Sequence, residues 1–235
     1  MNSLGELAGA IAHDFNNILA AILGNASLGK TEATDDQSVQ CFDEIEKAGA
    51  RASSLVRQIL TFSRDQAPRR ERMSLPAIVE EALGLIRVTA PRHIAIATTM
   101  DPDVPAILAD PTQIHQVVMN LCTNSVHAIG DAAGRIGVRV EGVVLEHSLV
   151  ESTAELLPGA YARLTVEDTG KGMSEAVLER IFDPFFTTKE AGKGTGLGLS
   201  VVHGIMRSHG GGIVVRSAPG AGSTFTLYFS ATPEA

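Results

Sequence analysis

Residues 192–198 have the sequence Gly-Lys-Gly-Thr-Gly-Leu-Gly and run into a stretch near Leu197 to His209 whose apolar pattern predicts a helix. Repeated glycines let the backbone turn tightly, and the start of a helix offers free N–H groups and a positive end that suit phosphates. The stretch lacks the Gly-Lys-Ser/Thr ending of a Walker A loop. It also does not follow a first strand, as a dinucleotide fingerprint would. The stretch therefore predicts a phosphate-binding loop, a nucleotide cradle that belongs to neither of these two types.

Two stretches upstream supply further groups for a nucleotide. Asp168 ends a strand pattern in Asp-Thr-Gly-Lys-Gly, where its carboxylate could accept from an adenine amino group while Gly170 and Gly172 let the backbone approach the base. Asn120 and Asn124 stand four residues apart on a predicted helix, and their amide oxygens could hold Mg²⁺ without adding negative charge near phosphates. Paired asparagines could also be solvated surface, but Asn is a poor helix former, so two on one face favour a function.

A histidine lies near the start of the chain on another predicted helix. At about 100° per residue, His13 lies about 200° round from Ile11 and points away from the apolar stripe. Asp14 can accept from the imidazole Nδ1, which leaves Nε2 free as a nucleophile, and Asn17 shares the face of His13. Alone, this pattern favours a solvated His-Asp pair. Combined with the nucleotide cradle, it indicates a histidine that receives phosphate from ATP.

Two helices and a turn account for the first 66 residues. Apolar residues predict a helix over 3–29, a polar turn over 29–38 and a second helix with a coiled-coil type seam that includes Phe42 and Ile45. One hairpin cannot bury both seams, so two chains are expected to pair as a four-helix bundle in a homodimer. The predicted organisation is a helical hairpin over 1–66, a linker over 67–73 and a second domain over 74–235.

The second domain alternates short strands with helices, which predicts an α/β sandwich of mixed strand order. The predicted helices lie near 75–87, 111–129, 174–182 and 197–209. The predicted strands lie near 94–100, 135–145, 161–168, 212–217 and 223–229. The fold class is therefore α+β.

Composition excludes several classes of protein. A net charge of -8, from 19 basic and 27 acidic residues, argues against nucleic acid as a partner. Cys41 and Cys122 have no metal or disulfide spacing, so two buried thiols in a reducing compartment are expected. The remaining histidines show no metal-ligand spacing. No apolar run is long enough to span a bilayer, and the expected location is the cytoplasm of a bacterium.

Taken in order, these motifs resemble those of the catalytic core of a two-component sensor histidine kinase. Residues 7–19 look like the H box, in the form shared by nitrogen-regulatory and many hybrid kinases. The later boxes follow in the family's order: the N box at 120–128, the first glycine box at 168–172, the F box at 182–189, the second glycine box at 194–198 and the last at 220–225. The resemblance implies a dimeric helical bundle followed by an ATP-binding domain of the Bergerat (GHKL) type.

The resemblance also implies roles for individual residues. His13 is the implied phospho-acceptor, Asp14 its activating base and Asn17 the residue that positions water when a partner is dephosphorylated. Asn124 is the implied ligand of Mg²⁺. The implied ATP-binding residues are Asn120, Asn124, His127, Asp168, Gly170, Gly172, Lys189, Lys193, Gly194, Thr195, Gly196, Leu197, Gly198 and Thr224. The chain departs from the family pattern at Ser125, where the N box usually has Ala.

The implied function is ATP-dependent autophosphorylation on His13, followed by transfer to an Asp in the receiver domain of a response regulator, with a further phosphatase role toward that regulator. Two alternatives remain at this point. One is a conformational ATPase of the gyrase and Hsp90 kind, and the other is a dimeric scaffold that binds nucleotide without catalysis. Since the first helix starts almost at Met1 and no sensor module is present, we expect an excised or engineered core of a larger kinase.

Overall fold

The computed structural model describes the backbone of residues 3–46, 48–49, 69–149, 153, 155–189 and 194–232, and the side chains of this set from residue 18 onward. The chain forms two compact units, Met1–Ala67 and Pro68–Ala235. Each unit is described by itself below. Within the described residues, no helix combines the length and the apolar character needed to cross a membrane.

The first unit is a helical hairpin with a short turn. Helix α1 spans Ser3–Glu32, and helix α2 spans 36–46 and continues at 48–49. Asp35 caps α2 by accepting from the Ser38 backbone N–H at 2.8 Å and from the Ser38 hydroxyl at 2.6 Å. The predicted turn over 29–38 was therefore too long, because only residues 33–35 leave the helices.

Close packing between α1 and α2 explains why two glycines lie inside helices. A β-carbon added to Gly29 would lie 2.4 Å from the Phe42 ring, and one added to Gly49 would lie 2.6 Å from the Leu23 side chain. The ammonium of Lys30 contacts carboxylates of α2 at 2.5 Å from Asp43 and 3.0 Å from Glu46. The hairpin is thus held by side chains on both sides of the turn.

One face of the hairpin is apolar and open. A groove of about 500 Å³ is lined by α1 and α2 side chains. Ile18, Ile22 and Ile45 in this groove are 56%, 44% and 41% exposed. Cys41, expected to be buried, is exposed on α2, whereas Cys122 is buried, which raises the pKa of its thiol to about 12.

The second unit is built on a five-stranded sheet. Its strands are β2 Ile94–Met100, β4 Gly134–Leu145, β5 Gly159–Asp168, β6 Gly212–Ser217 and β7 Ser223–Ser230. They lie in the order β2-β4-β5-β7-β6, in which β2 and β4 pair in parallel and the other neighbours pair antiparallel. All five were predicted, with bounds that differ by two residues at most.

Helices cover one face of this sheet. They are α3 Leu75–Thr89, α4 Pro111–Ile129, the short α5 Glu175–Leu178 and α6 Gly198–Ser208. Helix α4 packs between α3 and α6, and its apolar side joins the core of the sheet. The other face carries polar residues such as Arg139 and Thr165 and a small second apolar cluster in which Tyr161 and Tyr228 are buried with Leu156. The unit is therefore the predicted two-layer α/β sandwich.

A small second sheet was not predicted. Strand β1, Glu71–Met73, pairs antiparallel with β3, Ile107–Ala109. Residues 71–73 were expected to belong to a linker over 67–73, but they are part of the second unit because their backbone pairs with β3. Residues 67 and 68 of that linker lie outside the described part of the chain.

The start of α4 joins this region to the end of α6. The Asp110 carboxylate caps α4, accepting from the backbone N–H of Thr112 at 2.9 Å, and its other oxygen accepts from Arg69 N–H at 3.0 Å. The Asp110 backbone N–H donates to His209 Nε2 at 3.1 Å. Because His209 directly follows α6, these contacts fix where α4 begins relative to α6.

Candidate nucleotide-binding site

Asp168 ends β5 with a buried carboxylate that is hydrogen-bonded on both oxygens. Oδ1 accepts from Gly170 N–H at 2.8 Å, and Oδ2 accepts from the Ser125 hydroxyl at 3.2 Å. Burial raises the pKa of Asp168 above its usual value, and the bonds from Gly170, Ser125 and the Ser223 backbone oppose that rise. The carboxylate is thus an acceptor held in a fixed orientation, as recognition of a base amino group requires.

The two asparagines of α4 lie against the start of α6. A β-carbon on Gly198 would come within 3.6 Å of Asn124 Nδ2 and 3.7 Å of Asn120 Oδ1. Both asparagines are partly exposed, whereas Val118, Leu121 and Cys122 on the other side of α4 are buried. The predicted division of α4 into an amide face and an apolar face is therefore present.

Lys189 connects the F-box segment to α4. Its Nζ donates to Asn124 Oδ1 at 3.4 Å and lies 3.0 Å from His127 Nδ1. Burial, and then the nearby charge of Lys171, lower the pKa of Lys189. Burial, and then Lys189, lower the pKa of His127, which favours a neutral ring whose Nδ1 accepts from the ammonium. Lys189, Lys171 and His127 form the basic cluster of the site.

The glycine-rich segment is shaped by a contact with the F box. The Phe185 N–H donates to the Gly196 carbonyl at 3.0 Å, and both residues have positive φ, 67° at each. A β-carbon on Gly196 would lie 2.3 Å from the Phe185 carbonyl carbon. The Thr195 hydroxyl accepts from Leu197 N–H at 3.2 Å directly before α6, and Leu197 is buried.

The other predicted glycines also lie near these groups. Gly170 packs against the backbone of Ala128 at the end of α4, and Gly172 lies against the carbonyls of Ala218 and Gly222. Gly194 lies against Thr187 and Lys189. The structure therefore brings the N box, the F box and the first and second glycine boxes together around α4 and the start of α6.

Thr224 does not join this group, and its prediction is corrected. It lies on the open face of the sheet, where it lines a pocket with Arg139 and Arg216. Strand side chains alternate between faces, so the buried Ser223, paired with Asp168, takes the helix-facing position instead. Of the two neighbouring residues, Ser223 is thus the one that lies beside Asp168.

Four predicted residues cannot be placed. Lys193 lies outside the described residues. His13, Asp14 and Asn17 lie in the helical backbone of α1, but their side chains are outside the described set. Their roles stay predictions.

Three residues of the site were not predicted. Ser125 and Ser223 bond to the Asp168 carboxylate, and Lys171 acts on Lys189. In the sequence, Ser125 stands out only as a departure from the family pattern. A hydroxyl where an apolar methyl is usual, on the buried side of a helix, could have signalled a polar partner.

Comparison with known proteins agrees with this geometry. The family model for the histidine kinase-, DNA gyrase B- and HSP90-like ATPases matches residues 109–233, which is just over half of the chain. The chain belongs to this family. The His Kinase A phospho-acceptor domain matches residues 3–68. The two domains in this order make the chain the catalytic core of a two-component histidine kinase, as its motifs predicted.

Individual relatives support the same assignment. The sensor kinase CckA of Brucella abortus (strain 2308) is 39% identical over 229 residues, which are 97% of this chain and 24% of CckA. Full-length ShkA in complex with AMPPNP shares the fold, with a TM-score of 0.79 at 24% identity over 98% of this chain and 47% of ShkA. The histidine kinase ThkA in complex with the response regulator TrrA has a TM-score of 0.64 at 26% identity, covering 98% and 62%. The predicted fold class is confirmed.

Gly196→Ala tests the contact between the glycine-rich segment and the F box. Alanine at positive φ costs about 1–2 kcal/mol, and its β-carbon would also displace the Phe185 backbone. We expect ATP affinity to fall about tenfold or more, measured by competition with a fluorescent ATP analogue.

Gly204→Ala is the matched control, because Gly204 lies within α6 with no atom near its added β-carbon. We expect this variant to bind ATP as the unmodified chain does. Equal affinities of the two variants would contradict the role given to Gly196.

Proposed function

We propose that the chain transfers the γ-phosphoryl group of ATP to His13 and then passes it to an Asp of a response regulator. The observation that supports the proposal is the contact of the Lys189 ammonium with Asn124 and His127, beside the start of α6. The same chain matches a phospho-acceptor domain over residues 3–68. The site has a base-reading carboxylate, basic groups for phosphates and a histidine elsewhere in the same protein to receive the group.

The chemistry at His13 requires a neutral, oriented ring. In the proposed step the Nε2 lone pair forms the N–P bond, the bond between the γ-phosphorus and its bridging oxygen breaks, and ADP leaves. Asp14 accepts from Nδ1–H and stabilises the positive charge that develops on the ring. Catalysis is then mostly positioning and neutralisation of charge by the basic groups.

The site fits Mg²⁺ at Asn124. The Asn124 oxygen already accepts from a cationic group, the Lys189 ammonium, and an amide oxygen is a ligand type that Mg²⁺ takes. When bound, Mg²⁺ would neutralise phosphate charge there. Asn120, on the same side of α4, also lies against the start of α6.

The other ATP-driven function is disfavoured by one residue. A conformational ATPase of the gyrase and Hsp90 kind resembles this fold but has a Glu general base where this chain has Asn120. An amide cannot take a proton from water as a carboxylate does. A nucleotide-binding scaffold without catalysis would leave His13 without a function. Phosphoryl labelling of His13 distinguishes a kinase from such a scaffold.

We propose that a receiver domain is the partner. The ThkA structure contains the response regulator TrrA, and ThkA is similar to 98% of this chain. Asn17, on the helix of His13, would position the water that dephosphorylates that partner. A phosphatase role toward the regulator thus belongs to the same proposal.

We propose that the hairpin forms a homodimer through its open apolar groove. Ile18, Ile22 and Ile45 expose apolar area that water disfavours, and a second copy of the hairpin carries the same surface. Pairing two hairpins completes a four-helix bundle.

His13→Ala tests the phosphoryl transfer. With γ-labelled Mg-ATP, we expect the unmodified chain to gain an acid-labile, alkali-stable label and the variant to gain none while it still binds ATP. His147→Ala, which removes an exposed histidine outside the site, should label normally. Label that persists in His13→Ala would refute His13 as the phospho-acceptor.

Asn17→Ala tests the phosphatase role. We expect this variant to be labelled normally but to dephosphorylate the partner more slowly. An unchanged lifetime of the phosphorylated partner would exclude this role of Asn17.

Asn124→Ala tests the metal role. We expect the Mg²⁺-dependent part of ATP affinity to fall about tenfold or more, because the amide oxygen is removed. Calorimetric titration with ATP, in Mg²⁺ and in EDTA, measures the difference. Thr123→Ala, which changes an exposed neighbour on α4, should keep the Mg²⁺ dependence of ATP affinity. An unchanged Mg²⁺ dependence in Asn124→Ala would exclude Asn124 as ligand.

Ile22→Asp tests the dimer. A charge in the groove cannot be buried without a partner, so we expect the variant to sediment as a monomer at concentrations where the unmodified chain is a dimer. Ala20→Asp, on an exposed side of α1 that does not line the groove, should remain dimeric. Sedimentation of Ile22→Asp as a dimer would place the interface elsewhere.

A further inference from the structure

Ser125 directs its hydroxyl at the residue expected to recognise adenine. It lies on α4 with 3% of its surface exposed, and its Oγ donates to Asp168 Oδ2 at 3.2 Å. A helical serine can instead bond to the carbonyl four residues earlier. In this structure the hydroxyl bonds to the carboxylate, on a neighbouring strand.

This bond completes the set of protein donors around Asp168. A carboxylate has about four acceptor positions. The Gly170 N–H bonds to one of its oxygens and the Ser125 hydroxyl to the other, and the Ser223 backbone also stabilises the carboxylate, which leaves few positions for a ligand. Asp168 is 8% exposed, so little of the carboxylate can face a ligand. A small open acceptor surface of this kind matches an N–H donor.

The geometry points to Ser125 as a positioning residue that fixes the Asp168 carboxylate so that its open acceptor position faces the 6-amino group of adenine. Ser125 thereby sets the preference for a 6-aminopurine over a purine that lacks this group. This inference rests on the proposed nucleotide function and adds a determinant of base specificity to it.

Direct contact of Ser125 with the base is disfavoured by burial. A side chain that is 3% exposed offers almost no surface to a ligand, and its proton is already used by Asp168. The effect of Ser125 must therefore pass through the carboxylate. Ser125→Ala would leave Oδ2 without this donor, in a place where burial already disfavours the charged form.

The test compares two nucleotides on the same protein. ATP and purine riboside triphosphate differ only in the 6-amino group, and their dissociation constants are measured with Mg²⁺ by calorimetry on the full chain. For Ser125→Ala we expect the preference for ATP to fall about tenfold, the lower end of what a hydrogen bond to a charged group contributes. Affinity for purine riboside triphosphate should not change, because that nucleotide makes no bond to Asp168.

Two further variants and one control separate positioning from packing. In the Asp168→Asn background, Ser125→Ala should have no additional effect on the preference, because the group on which it acts is gone. Ser125→Cys keeps the volume but donates weakly, so it should give an intermediate preference. Cys122→Ala shortens another buried side chain of α4, one that is not a hydrogen-bond donor to Asp168 in this structure, and should keep the full preference.

The outcomes are distinguishable. If the unmodified chain prefers ATP and Ser125→Ala keeps that preference, the positioning role is wrong and the proposed function stands. If Ser125→Ala lowers the affinity for both nucleotides by the same factor, Ser125 has a packing role and the inference is overturned. An unmodified chain that binds both nucleotides equally would remove the base-reading role of Asp168, and one that binds neither would refute the proposed function itself.

Discussion

The packing of α4 against α6 is the constraint on which the nucleotide site depends. Gly198, at the start of α6, lies against Asn120 and Asn124 in the second half of α4, while His209 at the other end of α6 accepts from the Asp110 N–H where α4 begins. The two helices therefore run in opposite directions and are fixed at both ends. A slip of one helical turn, about 5.4 Å, would move the amide face away from the glycine-rich segment.

Helix α4 positions both parts of the site, because its buried side is apolar and its partly exposed side carries polar residues. Leu121 and Cys122 are buried in the core, so α4 cannot rotate without exposing them. Ser125 lies at the edge of that buried side and reaches Asp168, whereas Asn124 and His127 face Lys189. The position of each polar group is thus determined by apolar packing rather than by the polar bonds themselves.

Much of this could be predicted because its signals are local. The bounds of α4 follow from Pro111 after a capping Asp110 at one end and Gly130 at the other, and the five main strands follow from alternation. Strands β1 and β3 could not be found in this way. Each has three residues, too few to show a period, and each exists only because the other pairs with it.

The remaining errors have similar physical causes. Gly29 is a turn signal in the sequence, but in the structure it lies inside α1 because only a residue without a side chain leaves space for the Phe42 ring. Thr224 was chosen from its motif without applying the alternation of β7, which places Ser223 on the helix side and Thr224 on the other. Both features depend on a neighbouring element that no local pattern describes.

The charged groups around α4 differ between the two parts of the site. Ser125 of α4 bonds to the Asp168 carboxylate, whereas Asn124 and His127 of α4 contact the Lys189 ammonium. Burial, and then a neighbouring lysine charge, lower the pKa values of Lys189 and His127. The ammonium groups of Lys189 and Lys171 repel one another, and in a chain of net charge -8 such a pair is a local exception that phosphate groups would stabilise. A nucleotide bound in the reverse direction would place its phosphates against a carboxylate and its base beside an ammonium group. This distribution of charge is the basis of the proposed orientation, with the base at Asp168 and the γ-phosphate toward Lys189.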